Sequence, residues 1–195
     1  MELILVRHGE TEMNASGVYC GWSDSCLTEQ GRIHAREAAL KLKNDRLAII
    51  ISSDLSRTME TADIIGAYHK AERIHINELR EINFGIWEGM YFDDILKKYP
   101  DESALWKTDW MAYAPPEGES LLQMYNRVIN KVQALIRKHK DDTICFVSHG
   151  GCIRAILAFL IGVGVEDFWK YKINNGSITR VEIDDDFSVL TALNV

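Results

Sequence analysis

The stretch MELILVRHG, residues 1–9, is an apolar run that stops abruptly at Arg7-His8-Gly9. Its aliphatic residues follow one another without polar alternation over a strand's length. Residues 2–6 therefore read as a β-strand covered on both faces. Two later stretches have the same build. Residues 48–52, AIIIS, run into Ser53-Asp54-Leu55-Ser56-Arg57, and residues 143–147, TICFV, run into Ser148-His149-Gly150-Gly151.

Between these strands lie segments with helical periodicity. Thr28 is placed to cap a helix reaching about residue 43. Ser56 is expected to cap another, carrying Met59, Ala62, Ile65 and Tyr68 at helical spacing. Ser120 opens a long helix with Leu121, Leu122, Tyr125, Val128, Ile129, Val132, Leu135 and Ile136 on one stripe. A further helix is expected from about residue 152 to 160, and a short strand over 73–76. Residues 177–183 and 189–194 read as a hairpin around a turn at 184–186. Strands alternating with helices predict an α/β fold, a three-layer α/β/α sandwich whose sheet is mostly parallel with one antiparallel edge. The 195 residues suit a single domain, 1–195. Residues 90–118, with Trp106, Trp110, Tyr113 and Pro115-Pro116, break the alternation. They read as a helical excursion, either a satellite hydrophobic cluster or a lid.

A composition of 47% hydrophobic and 26% charged residues is that of a globular chain, not a disordered or collagen-like one. The formal net charge of −7 argues against nucleic acid or an anionic membrane as partner, because both require a basic face. Oligomeric state is not legible. Cys20, Cys26, Cys145 and Cys152 form no zinc-ligand pattern, and Cys145 reads as a buried reduced thiol. No signal peptide or membrane-span pattern occurs, so a cytoplasmic location is expected.

In open α/β sheets, ligands bind beyond the carboxyl ends of the strands. Those ends deliver His8 and His149, each followed by glycine, together with Arg7 and Arg57. Arg57 falls in the first turn of its helix, where amide donors and the helix dipole already favour an anion. Singly, each residue is more often structural. Together, two forked guanidiniums, two imidazoles and helix N-termini describe a site for a phosphate dianion of a small molecule. A proton donor is available in the 78–88 stretch, where Glu78, Glu81 and Glu88 are all candidates. A carboxylic acid beside aromatic surface can be raised enough to donate at neutral pH.

Longer motifs sharpen this reading. Arg7-His8-Gly9-Glu10-Thr11 with Asn14, Gly21-Trp22-Ser23-Asp24 and Leu27-Thr28-Glu29-Gln30-Gly31 occur in that order. They are followed by Ser53-Asp54-Leu55-Ser56-Arg57-Thr58-Met59-Glu60-Thr61-Ala62 and Glu78-Leu79-Arg80-Glu81. Phe84-Gly85-Ile86-Trp87-Glu88-Gly89, Pro116-Glu117-Gly118-Glu119-Ser120 and Val147-Ser148-His149-Gly150-Gly151 complete the series. In these blocks the chain resembles the histidine phosphatase superfamily, the phosphoglycerate mutase-like proteins. The resemblance implies that fold and a phosphomonoesterase that needs no metal or other cofactor. It implies His8 as nucleophile through a phosphohistidine, with Arg7, Arg57 and His149 holding the phosphoryl group. It also implies Glu81 as proton donor, with Asn14, Cys20, Gly21 and Gly150 lining the pocket. The short chain and the Phe84-to-Gly89 block look like the phosphatase branch. Within it the pattern is similar to α-ribazole 5′-phosphate phosphatases of cobalamin nucleotide-loop assembly, with broad-specificity and fructose-2,6-bisphosphatase-like enzymes, or a cofactor-dependent phosphoglycerate mutase, as alternatives.

Overall fold

A computed structural model describes residues 1–184 and 187–195. Its strands are β1 (Glu2–Arg7), β2 (Ile49–Ser52), β3 (Glu72–His75), β4 (Thr143–Ser148), β5 (Ile178–Ile183) and β6 (Ser188–Ala192). Its α-helices are α1 (Glu12–Ser16), α2 (Glu29–Leu42), α3 (Ser56–Gly66), α4 (Phe92–Lys98), α5 (Pro100–Thr108), α6 (Leu121–Lys138) and α7 (Gly150–Leu160). The six strands form one sheet in the order β3-β2-β4-β1-β5-β6. The first four run parallel, and β5 is antiparallel to both β1 and β6. The expected hairpin is present as β5 and β6. Residues 185–186 of its expected turn lie outside the described residues.

The apolar strands are explained by burial on two sides. Ile4, Val6, Ile50, Cys145 and Val147 face α2 and α3 through Ala38, Ala39, Leu42, Ala62 and Ile65. Leu3, Leu5, Ile51, Ile144 and Phe146 face α6 and α7 through Met124, Val128, Val132, Ile153 and Ile156. The sheet is thus the middle of three layers, as expected.

The caps are as local as the sequence suggests in two cases. Thr28 accepts from the Gly31 N–H, and Ser120 with Gln123 closes a reciprocal capping box at the start of α6. Such a cap contributes about 1 kcal/mol. Ser56 departs from expectation. It is the first residue of α3 rather than its cap, and Asp24, from a distant loop, accepts from its N–H and hydroxyl at 2.9 and 2.5 Å. Tyr68 lies beyond the end of α3 and is exposed, and Leu122 points away from the buried stripe of α6. Among the described residues, no helix is long and apolar enough to cross a membrane.

Candidate active site

Parallel pairing of β1 with β4 puts Arg7 opposite Ser148, so the next residue on each strand, His8 and His149, emerge side by side. Their rings lie 5.1 Å apart, centroid to centroid, at 66°. Both imidazoles are buried. His8 Nδ1 lies 2.6 Å from the Gly9 carbonyl, which can only accept. Nδ1 therefore carries the proton, and the lone pair is left on Nε2. The turn that arranges this is tight: a Cβ on Gly9 would fall 2.1 Å from the Gly31 carbonyl oxygen.

His149 takes the opposite tautomer. Arg57 Nε donates to its Nδ1 at 3.3 Å, and its Nε2 donates to Ser53 Oγ at 2.8 Å. Ser53 in turn donates to Thr58 Oγ1 at 2.7 Å, and Thr58 donates to the Leu55 carbonyl. This chain has a single direction, set at its far end by a carbonyl.

Burial, then the Arg57 and Arg7 charges, hold His8 well below the usual imidazole range. Burial, Arg57 and His8 do the same to His149. Both rings are neutral at physiological pH. In the unfolded chain they would protonate near pH ~6.5. Below that pH the unfolded state binds more protons, so stability falls with acidification, by up to about 2.7 kcal/mol per pH unit for two groups. Urea unfolding between pH 7.5 and 5.5 is expected to show this slope, and His8→Gln is expected to reduce it by about half. The carboxylates held low by cationic partners, Asp54 and Glu78, titrate below this window.

Arg57 is fully buried and donates to the carbonyls of Ser23 (2.9 Å) and Gly21 (2.6 Å) as well as to His149. Arg7 uses Nη1 on the Ile173 carbonyl at 2.7 Å, while its buried Nε has no hydrogen-bond partner among the described residues. A buried unpaired donor on a desolvated cation is costly unless an acceptor fills the space. Gly150, at the start of α7, lies against this guanidinium.

The three acidic candidates separate by their partners. Glu78 pairs with Lys131 at 2.8 Å. Glu88 accepts from the backbone N–H groups of Gly21, Trp22, Ser23 and Phe84, a structural clamp. Glu81 alone reaches the start of α7, where Oε2 accepts from the Gly151 N–H at 2.8 Å. A Cβ on Gly151 would fall 2.1 Å from Glu81 Oε1, so glycine is what admits the carboxylate.

Asn14 Oδ1 closes the capping box of α1 with Thr11 and also accepts from Asn175, whose amide holds the His8 and Gly9 carbonyls. Cys20 is half-buried, its thiol raised chiefly by burial, and its Sγ lies 3.8 Å from the Ser23 carbonyl. The structure thus groups Arg7, His8, Arg57, His149 and Glu81 with Gly21 and Gly150, links Asn14 through Asn175 to the turn after β1, and keeps Cys20 within electrostatic reach of Arg7 and Arg57.

Beyond Glu81 and Gly151 opens a cleft of about 160 Å³ walled by Tyr19, Phe84, Trp87, Trp106, Trp110, Tyr113, Phe168 and Trp169. Arg154 enters the same cleft. It is one turn beyond Gly150 on α7, and that spacing was the only sequence signal for it. Ser53 is legible as a strand-end and motif residue but not as the partner of His149, and Asn175 has no signal of its own. Among the described residues, no group of three or more His, Cys, Asp or Glu could hold a metal ion.

A phosphate-sized cluster joined to an aromatic cleft accords with the chain's relatives. Residues 3–195 match the model of the histidine phosphatase superfamily, branch 1. Phosphoserine phosphatase 1 of Hydrogenobacter thermophilus is 34% identical over 195 residues, covering 100% of this chain and 92% of its own. The adenosylcobalamin/α-ribazole phosphatase of Escherichia coli is 29% identical over 194 residues, covering 100% and 96%. The crystal structure of the α-ribazole phosphatase from Shigella flexneri superimposes with a TM-score of 0.94 at 29% identity, over 100% of this chain and 96% of that one. The chain belongs to the histidine phosphatase superfamily, branch 1, and is a phosphoric monoester hydrolase.

Proposed function

We propose that the chain hydrolyses phosphomonoesters through a phosphohistidine on His8. The observation that carries this is the His8 tautomer: Nδ1 holds the proton on the Gly9 carbonyl, so the neutral ring keeps its lone pair on Nε2, with Arg57 and Arg7 close enough for their charges to oppose its protonation. The phosphoryl oxygens take the donors of Arg7, Arg57 and the α7 N-terminus, with His149 beside them. His8 Nε2 attacks phosphorus as the ester oxygen departs, and Glu81 gives that oxygen its proton. Glu81 then takes a proton from water, which attacks the phosphohistidine, releases inorganic phosphate and restores His8. The cations neutralise the charge on the equatorial oxygens throughout. The segment 90–118 supplies Trp106, Trp110 and Tyr113 as a lid-like wall of the leaving-group cleft.

An aromatic-walled cleft suits a flat, apolar leaving group, and relatives are named for α-ribazole. We take α-ribazole 5′-phosphate as the substrate. One observation favours a second reading. Arg154 Nε donates to the Tyr171 carbonyl, its guanidinium lies 5.1 Å from the Trp169 ring centroid, and its terminal nitrogens have no protein partner among the described residues. A leaving-group carboxylate, as in phosphoserine, would satisfy them. The test is kcat/KM for α-ribazole 5′-phosphate, phosphoserine and p-nitrophenyl phosphate, all in EDTA. A large preference for the ribazole ester is expected. A preference for phosphoserine, lost about 10- to 100-fold in Arg154→Met, would establish the second reading instead.

A further inference from the structure

Arg127 reaches from α6 into the loop that carries Glu81. Its Nη1 donates to the carbonyls of Glu78 (2.8 Å) and Arg80 (3.1 Å), and its Nη2 to that of Glu81 (3.3 Å). Its charge is met by Glu119, with Nη2 to Oε1 at 2.5 Å and Nε to Oε2 at 3.3 Å. Glu119 Oε1 also accepts from the Asn83 N–H, beyond Glu81 in the chain. One ion pair therefore holds main chain on both sides of the acid.

A second donor converges on the same carbonyl. Trp22 Nε1 donates to Glu81 O at 2.8 Å, and the Trp22 ring lies 4.8 Å from the Arg80 guanidinium carbon and 5.9 Å from that of Arg127. Trp22 sits between Gly21 and Ser23, whose carbonyls hold Arg57. The loop that fixes the phosphate cation and the loop that carries the acid thus share a joint.

Residues 80–84 lie in neither helix nor strand, so no ladder fixes their backbone. Their carbonyls need partners, and the planar fork of an arginine satisfies several at once in fixed geometry. A misplacement of about 1 Å in a reacting group costs about 10²-fold in rate.

We infer that Arg127, seconded by Trp22, is a positioning residue that sets Glu81 in register with the departing oxygen. This rests on the reading of Glu81 as the proton donor. The leaving-group dependence of kcat/KM tests it, since that ratio reports the step in which the ester oxygen leaves. Arg127→Met, Trp22→Phe and Glu81→Gln are compared on p-nitrophenyl phosphate, whose leaving group needs no acid, and on glycerol 2-phosphate, whose leaving group does. Arg127→Met is expected to lose about 10²-fold on the alkyl ester and only a small factor on the nitrophenyl ester. Arg127→Lys is expected to recover part of the loss. If Glu81→Gln shows this split and folded Arg127→Met slows both esters equally, the positioning role is overturned. If Glu81→Gln shows no split, the reading of Glu81 itself fails. Should Arg127→Met not fold, Trp22→Phe decides: a weaker split of the same kind supports the inference, and equal effects on both esters overturn it.

Discussion

His8→Ala is expected to lose turnover by about 10⁴-fold or more on every ester, with the fold retained. The expectation of a lost rate rests on chemistry that no neighbour can replace. His149 is the other imidazole at the site, but its Nε2 proton is committed to Ser53 and its Nδ1 lone pair to Arg57. The expectation of a retained fold rests on energetics. Among the described residues His8 makes one side-chain hydrogen bond, to the carbonyl of its own neighbour Gly9, and its burial beside two guanidiniums opposes protonation. Removing it relieves that opposition, so the variant is expected to unfold later than the parent in acid. Steady-state assays with circular dichroism check both halves. Turnover within tenfold of the parent would contradict the nucleophile's assignment.

Glu81→Gln is expected to slow hydrolysis of alkyl phosphates by about 10²- to 10⁴-fold, the usual worth of general acid–base catalysis. Glutamine keeps one acceptor, enough for the Gly151 N–H, and gives up the bond that Oε1 accepts from the Ile82 N–H. What it lacks is the proton. The loss in kcat/KM is expected to shrink toward nothing as the leaving alcohol becomes more acidic, and a plot against alcohol pKa checks this. A uniform loss along that series would remove Glu81 from the acid role.

The parts legible in the sequence were those set by local pattern. Runs such as Leu3 to Val6 and Ile49 to Ile51 announce doubly covered strands because both faces are apolar, and Thr28 and Ser120 cap their own helices. The strand-end rule then brings Arg7, His8, Arg57 and His149 together without further information. What stayed illegible depends on partners far away in the chain. Glu78, Glu81 and Glu88 are alike as letters; the family resemblance singles out Glu81, and the physical reason is that Lys131 takes the first, the Gly21 loop the last, and Gly151 admits the middle one. Asp24 supplants Ser56 as the cap of α3 for the same reason. The helices α4 and α5, joined through Tyr99 and Pro100, carry few buried residues to mark a stripe, so only an excursion was readable there.

The covalent intermediate is the most direct measurement. The protein is mixed with excess p-nitrophenyl phosphate, quenched in alkali, where a phosphohistidine survives, digested, and mapped by mass spectrometry. One phosphoryl group on the His8 peptide, formed as fast as turnover requires and absent from His8→Ala, is the expected result. Turnover with no phosphorylated peptide, or with the phosphoryl group on another residue, would contradict it.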